Sequence, residues 1–420
     1  METIVKKDTI KEKFITEFES SKAGLFGDVT IREKAIAAFE VQGIPNRKSE
    51  EYKYVNVEAV LRERITGANA KNPEAPVKFL KNALTVIIVD GTFVEASLTL
   101  PKGLIICSIA EASQKYAPLF TRHYSKYAEV SSDPFVALNT ALCSGGVFIH
   151  TEKNAVIETP VHVIHHSSKS FTNSRNLFVI EENAQVNIVE TYVSRSKAFQ
   201  NALTEIFIGA NANVDHYKIQ EESEESALLS TTQTYQDKQS IFSTHTFTLS
   251  GGWVRNNLTM VLDEERIESH LNGLYLTNGA QVVDNHTLVD HRKPNCNSNE
   301  LYKGIIEDRS SATFNGKIYV RKDAQKTNAF QSNKNILLSD DGTINTKPQL
   351  EIYADDVKCS HGTSTGKLDE DKIFYLRARG LSEASAKKLL MHAFASEVVA
   401  TIKIDELRDY VENRISERFE

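Results

Sequence analysis

Ala184-Gln185-Val186, Ala212-Asn213-Val214, Gln239-Ser240-Ile241 and Glu265-Arg266-Ile267 each begin a β-branched segment after a polar turn. Their first residues lie 28, 27 and 26 apart (212−184, 239−212, 265−239). A β segment repeated at this period marks a solenoid, and the natural solution is a β-helix whose coils each bury the apolar face of the next. The zone from Gly146 to about Lys367 has this character throughout. Short β-branched stretches alternate with Asn, Asp, Gly and Ser turns, and almost no helical period survives. A β-sandwich would place turn signals every 8–12 residues or so, with longer loops than this zone allows.

The flanks read differently. Ile10, Phe14, Ile15 and Phe18 share one helical stripe and Ile31, Ala35, Ala38 and Phe39 another, with Gly24 and Gly27 between them. Leu84–Val94 and Leu98–Ile106 read as strands, Ile109–Tyr124 and Pro134–Cys143 as helices. After Asp369 the chain is helical again. Ala386, Leu389, Leu390, Ala393 and Phe394 form one apolar stripe; Met391, Ala395, Val398, Val399 and Ile402 form a second. A helix apolar on two sides is buried on both. One side is expected to cap the open end of the β stack and the other to meet a partner. Leu407, Tyr410, Val411 and Ile415 define a last amphipathic helix. The expected organisation is mainly β: an N-terminal helical and mixed α/β region (1–145), a β-helix core (146–367) and a C-terminal helical subdomain (368–420).

Bulk properties narrow the function. The chain has 420 residues, enough for a full core and more than one domain, and its 40% hydrophobic and 25% charged content is that of a soluble globular protein. A formal charge of −7 argues against nucleic acid or an anionic membrane as main partner. Four irregularly spaced cysteines suit a reducing compartment. The charged N-terminus lacks an apolar signal core and no run is long enough to span a bilayer, so a cytoplasmic location is expected. No phosphate-binding loop, nucleophile elbow, His-Glu-x-x-His helix or Cys-x-x-Cys pair occurs.

The chemistry concentrates in Pro348–Gly362, read as a strand running into a glycine turn. Cys359 and His361 are two apart, so in extended backbone both leave one face, about 7 Å apart at Cα. A thiolate beside an imidazole suits iron, zinc or copper but is half a site, since such centres usually take four ligands. Cys107, Cys143 and Cys296 are remote in sequence. Cys107 follows an apolar run and reads as buried; nothing near Cys143 or Cys296 argues a lowered pKa. His162, His165 and His166 read as structural histidines of a strand. A β-helix carbohydrate lyase or hydrolase would need carboxylates on a groove, for which Asp340-Asp341 and Asp355-Asp356 are the candidates.

Four stretches carry a family resemblance: Gly43-Ile44-Pro45-Asn46-Arg47-Lys48-Ser49-Glu50-Glu51-Tyr52-Lys53-Tyr54; Phe314-Asn315-Gly316-Lys317-Ile318-Tyr319-Val320 with Ala324-Gln325-Lys326-Thr327-Asn328-Ala329-Phe330-Gln331; Pro348–Gly362; and Phe374-Tyr375-Leu376-Arg377-Ala378-Arg379-Gly380. In these the chain resembles the SufB/SufD family of the SUF iron–sulfur cluster assembly system. Cys359-Ser360-His361-Gly362, standing where the SufB branch has a Glu-His-Glu-type element, makes the resemblance favour the SufD side. Asn328, Phe330 and Thr363-Ser364-Thr365 depart from the usual pattern.

The resemblance implies a right-handed parallel β-helix and a non-catalytic subunit. It implies pairing with a SufB-like paralogue through the β-helix and binding of a SufC-like ABC ATPase through the C-terminal helices, at Phe374, Arg379, Gly380, Leu389, Leu390 and Phe394. It also implies that iron or a nascent cluster is held transiently at Cys359 and His361, the remaining ligands coming from the paralogue and nothing staying tightly bound in the isolated chain. A homodimer of the isolated chain is the competing arrangement. Truncation after Gly380 is expected to abolish ATPase binding and leave the β core folded.

Overall fold

The computed structural model describes residues 10–65, 78–97 and 99–419. Helices α1 (Ile10–Ser21), α2 (Val29–Gln42) and α3 (Val57–Ile65) precede strands β1 (Leu84–Val89), β2 (Thr92–Ala96) and β3 (Leu104–Ser108). Helices α4 (Ile109–Lys115), α5 (Ala117–His123) and α6 (Pro134–Leu142) follow. The coil strands are β4 (Val147–Thr151), β5 (Val156–Ser167), β6 (Phe171–Ile180), β7 (Gln185–Ser194), β8 (Phe199–Ile208), β9 (Asn213–Glu222), β10 (Ala227–Gln236) and β11 (Ile241–Ser250). They continue as β12 (Trp253–Leu262), β13 (Glu268–Thr277), β14 (Val282–His291), β15 (Asn297–Ile306), β16 (Ser311–Val320), β17 (Thr327–Leu337), β18 (Thr343–Ile352) and β19 (Val357–Gly366). Helices α7 (Glu370–Ala378), α8 (Glu383–Val399) and α9 (Asp405–Arg418) complete the chain.

The coils form a two-sheet β-solenoid. The first sheet runs β19-β17-β15-β13-β11-β9-β7-β5-β1-β2 and the second β18-β16-β14-β12-β10-β8-β6-β4-β3, so each coil gives one strand to each sheet. Neighbouring coil strands are parallel and nearly all in register, as in Val186↔Val214 and Phe242↔Val214. Stacking thus turns each strand position into a row of side chains along the solenoid.

The repeat has a backbone cause. Asn154, Asn183, Asn211, Gln239, Arg266 and Asn295 have φ between 57° and 64°, and each stands two residues before a first-sheet strand. This left-handed turn favours Asn, and the amides stack: Asn183 Nδ2 donates to Asn154 Oδ1 at 2.8 Å. The true equivalents after the turn are Ala184, Ala212, Ser240 and Ile267, at intervals of 28, 28 and 27 (212−184, 240−212, 267−240) and at most 1% exposed. The sequence alignment drifted by one and then two residues because Ser and Ile replace Ala at this position.

Three sequence expectations are corrected at the beginning of the solenoid. The strand expected over Leu84–Val94 is an antiparallel hairpin, β1 to β2, turning at Asp90 (φ 51°) and Gly91 (φ 78°). Asp90 fixes that turn by accepting from the Ser168 and Lys169 N–H groups at 2.7 and 2.9 Å. The second expected strand is shorter, β3, and Leu98 lies outside the described residues. The helix expected over Ile109–Tyr124 breaks at Tyr116 (φ −120°, ψ 34°), with Pro118 opening the next turn.

Helices cover both outer faces. Phe171, Phe199, Trp253 and Val282 on the second sheet pack against α1, α2, α3 and α6 through Phe14, Phe39, Leu61 and Phe135. Tyr217, Ile219, Phe247, Leu274 and Ile305 on the first sheet pack against Met391, Val398, Val399, Leu407, Val411 and Ile415 of the C-terminal helices and their linker residue Ile402. Lys303, 4% exposed, anchors α8 by donating to the Phe394 carbonyl at 2.7 Å. The C-terminal helices therefore cover the flank and do not cap the end, because the flank carries the continuous apolar rows.

Candidate functional site

The beginning of the solenoid is covered over its core, its outermost strands being the short β2 and β3, and its end is open. At the beginning, β3 lies antiparallel on β4, and α4 and α5 bury Ile109, Ala112 and Phe120 against Phe148, Leu177 and Val179. At the end, β18 and β19 are the last strands of their sheets. All residues of β18 are half-buried or exposed, and in β19 only Val357 and Cys359 are half-buried. Each strand presents ten residues of backbone with one edge unpaired among the described residues, a length of about 33 Å.

Pro348–Gly362 is not one strand. It is the end of β18, a bend over residues 353–356 and the first half of β19, with Gly362 in mid-strand. In β17, Ala329, Gln331, Asn333 and Asn335 are buried and face the lumen. Their register partners are Cys359, His361, Thr363 and Thr365, so those four share the lumen-side face of β19. With no coil beyond them among the described residues, that face opens outward.

Cys359 and His361 thus lie on one face at the lumen mouth, as their spacing predicts. Cys359 packs against the small cluster of Ile318, Val320, Ala324, Ala329 and Ala354. Burial pushes its thiol up, partly offset by a hydrogen bond with the Ala329 backbone. It is therefore a thiol in the isolated chain; a metal or an added positive charge is needed to hold the thiolate. His361 is exposed and makes no hydrogen bond with a described residue. Among the described residues no group of three His, Cys, Asp or Glu side chains is arranged to hold a metal, so the pair is at most part of a ligand set.

The other cysteines are structural. Burial pushes Cys107 up to about 12 and Cys296 up to about 11, and raises fully buried Cys143. Cys296 follows the αL residue Asn295, at the stacked position of Ala184 and Ala212. His162, His165 and His166 are at most 4% exposed. His162 bonds Thr191 at 2.9 Å and His165 stacks on Tyr192 at 4.5 Å, the structural roles expected of them. Asp340 pairs with Lys367 at the surface, and Asp355 and Asp356 are exposed on the bend before β19.

The partner residues expected on the C-terminal helices divide into two groups. Phe374 is 74% exposed and Leu389 49%. Leu389 and Leu390 line an apolar groove with Tyr375, Leu376 and Ala393. Arg379 lies over the Tyr375 ring at 5.2 Å, and Gly380 (φ 95°) makes the bend between α7 and α8. Phe394 instead packs inward against the flank, under the Lys303 ammonium at 4.6 Å.

Sequence reasoning missed two sets of residues near the open end. Glu50 and Glu51 form a strap across successive coils: Glu51 Oε2 meets His286 Nδ1 at 3.0 Å, the Glu51 carbonyl accepts from Arg255 at 2.8 Å, and Glu50 meets Lys347 on β18 at 2.5 Å. Arg255 lies over the Tyr52 ring at 4.1 Å. The resemblance marked this stretch without giving it a role. Glu300 and Gln331 were also missed. They share a lumen row with His361, and a buried Glu in a β-branched segment was their only signal.

No described helix is long and apolar enough to cross a membrane. Two family descriptions match. "SUF system FeS cluster assembly, SufBD core domain" covers residues 162–394, and "SufBD protein N-terminal region" covers 19–163. An iron–sulfur cluster assembly SufBD family protein of Synechocystis is 35% identical over 299 residues, spanning 68% of this chain and 66% of that protein. The iron–sulfur cluster assembly protein SufD of Escherichia coli is 28% identical over 387 residues, 90% of this chain and 89% of its own. The SufD of Bacillus subtilis is 26% identical over 325 residues, 73% and 72% of the two chains. With its core and N-terminal region both matched, the chain belongs to the SufBD family of iron–sulfur cluster assembly proteins.

Proposed function

We propose that the chain is a non-catalytic, SufD-type subunit of a cluster assembly complex, and that its open end docks a SufB-like paralogue. The observation that carries this reading is the pair of uncovered edge strands, β18 and β19, with Cys359 and His361 on the lumen face of one of them. An exposed edge of this length recruits another strand or aggregates, so a sister solenoid is its natural cover. The paralogue then supplies the ligands that Cys359 and His361 lack, and iron or a nascent cluster is the cargo of the shared site. A cluster in transit needs incomplete and exchangeable ligation, which suits one thiol and one imidazole at an interface.

The same edges would also accept a second copy of this chain, which would bring identical ligands together across a two-fold axis. Mass measurement of the chain with and without its partners separates the two arrangements.

The exposed face of α7 and α8, centred on Phe374 and Leu389, is the docking surface for a SufC-like ATPase. Truncation after Gly380 is a poor test, because it strips α8 and α9 from Tyr217, Ile219, Phe247 and Leu274 and so exposes the flank. Phe374→Ser with Leu389→Lys changes only exposed side chains and is expected to lose ATPase capture at an unchanged melting temperature. Retained capture removes this surface from the reading.

The site itself is tested by co-expressing the chain with its SufB-like and SufC-like partners and replacing His361 by Ala. The expected result is an intact complex with reduced iron and cluster content. Undiminished content in an intact complex would overturn the role of His361.

A further inference from the structure

His361 ends a row of lumen-facing positions. Leu271 on β13, Glu300 on β15, Gln331 on β17 and His361 on β19 are successive register partners. Glu300 and Gln331 are 4% and 3% exposed. Gln331 Nε2 donates to Glu300 Oε2 at 2.7 Å, which fixes the carboxamide one rung behind His361. Its other atom, Oε1, is buried and has no hydrogen-bond partner among the described residues. The position is cleared by Gly316 on the opposite sheet, where a Cβ would lie 2.4 Å from Gln331 Nε2 and 2.7 Å from the Phe314 ring.

Buried acceptors are seldom left without a donor, and neighbouring strands are only about 4.8 Å apart. Glu300 Oε1 and the Thr287 hydroxyl are also buried without a hydrogen-bond partner among the described residues, and these two lie beside each other; the Asn333 amide is committed. Asn333 donates to the Tyr275 hydroxyl at 3.1 Å, and its oxygen accepts from Asn335 at 2.7 Å. Ala329, the rung behind Cys359, has no polar side chain.

We propose that Gln331 is a positioning residue for His361: the imidazole, which makes no hydrogen bond with a described residue, turns so that one N–H donates to Oε1 of the carboxamide held by Glu300, and the other ring nitrogen presents its lone pair to a metal at the lumen mouth. A metal-binding histidine commonly donates its second N–H to such an acceptor, which sets both tautomer and ring direction. The proposal rests on His361 being a ligand, and it adds a residue that never touches the metal.

The test begins with the metal-free full-length chain, ¹⁵N-labelled at histidine, at a pH where the exposed imidazole is neutral. The ring nitrogens of His361 are expected to report one dominant tautomer. Gln331→Met, close in volume but without the acceptor, should convert this to a mixture, and Gln331→Glu, which keeps an acceptor oxygen, should restore one tautomer. Should the methionine variant fail to fold, Glu300→Met releases the carboxamide instead and should give the same mixture. An unchanged tautomer in a folded variant overturns the proposal.

In the complex with both partners, an anaerobic Fe(II) titration of Gln331→Met should show affinity lowered about 10–100-fold, with the glutamate variant recovering most of it. Unchanged affinity in a complex whose iron binding does depend on His361 also overturns the proposal. If His361→Ala leaves iron binding intact, the ligand reading fails, and the tautomer measurement on the metal-free chain still decides what Gln331 does.

Discussion

The two ends of the solenoid are built from one repeat and finished in opposite ways. At the beginning, Arg175 and Glu205, both fully buried, pair at 2.7 Å. Glu205 also accepts from the backbone N–H groups of Ser125, Tyr127 and Ala128 at 2.9, 3.0 and 3.1 Å. A charge pair thus fastens the segment between α5 and α6 onto the coils. At the end, Asp340 and Lys367 pair in open solvent and fasten nothing. The contrast teaches that ending a β-solenoid stably requires a dedicated cap. A chain that builds one cap and omits the other has left a surface for something else to cover.

The largest effect that would sharpen this contrast is expected from Glu205→Leu. It strands the Arg175 guanidinium in the interior and frees three N–H donors, so denaturant unfolding should show a loss of about 3–5 kcal/mol. An effect close to zero would mean that the beginning is not fastened as described. Asp340→Asn at the open end stands last on the scale and should leave the unfolding midpoint unmoved.

Between these lies a dependence on pH that belongs to the buried interior. Burial pushes Glu222 up to about 7, although Ser226 and Gln200 donate to it. In the unfolded chain the same carboxyl ionises near 4.3 or so. From that pH up to about 7 the unfolded state has lost a proton that the folded state keeps. Its contribution is therefore greatest in acid, falls as pH rises through this window and is flat above it, amounting to about 4 kcal/mol. Glu300, also pushed up to about 7, slopes the same way. Glu222→Gln should flatten the stability profile over that window in urea unfolding at several pH values, and an unchanged slope would contradict the burial.

Much of this was legible in the sequence. The repeat showed itself because one left-handed turn per coil selects Asn154, Asn183, Asn211 and Asn295. It blurred where Gln239 and Arg266 take that position without the Asn signature. The Cys359 and His361 pair was legible because period-two alternation survives in an edge strand. The hairpin at Asp90–Gly91 was hidden inside a run of apolar residues. The place of the C-terminal helices was hidden too. Tyr217, Ile219, Phe247 and Leu274 face outward, and only the fold distinguishes outward from inward on a strand apolar on both faces. Gln331 could not be linked to His361 from spacing, because the interval between turns stretches from 27 residues (266−239) to 31 (326−295) in the last coils.

The central claim, that the end of the solenoid is a docking edge while its beginning is sealed, is tested most directly by backbone amide hydrogen exchange with and without the SufB-like paralogue. Residues 357–366 and 343–352 should exchange rapidly in the chain alone and become protected on mixing, with residues 147–151 and 171–180 slow in both states. Rapid exchange at the end that persists in a saturated mixture, or protection appearing at the beginning instead, would contradict the account.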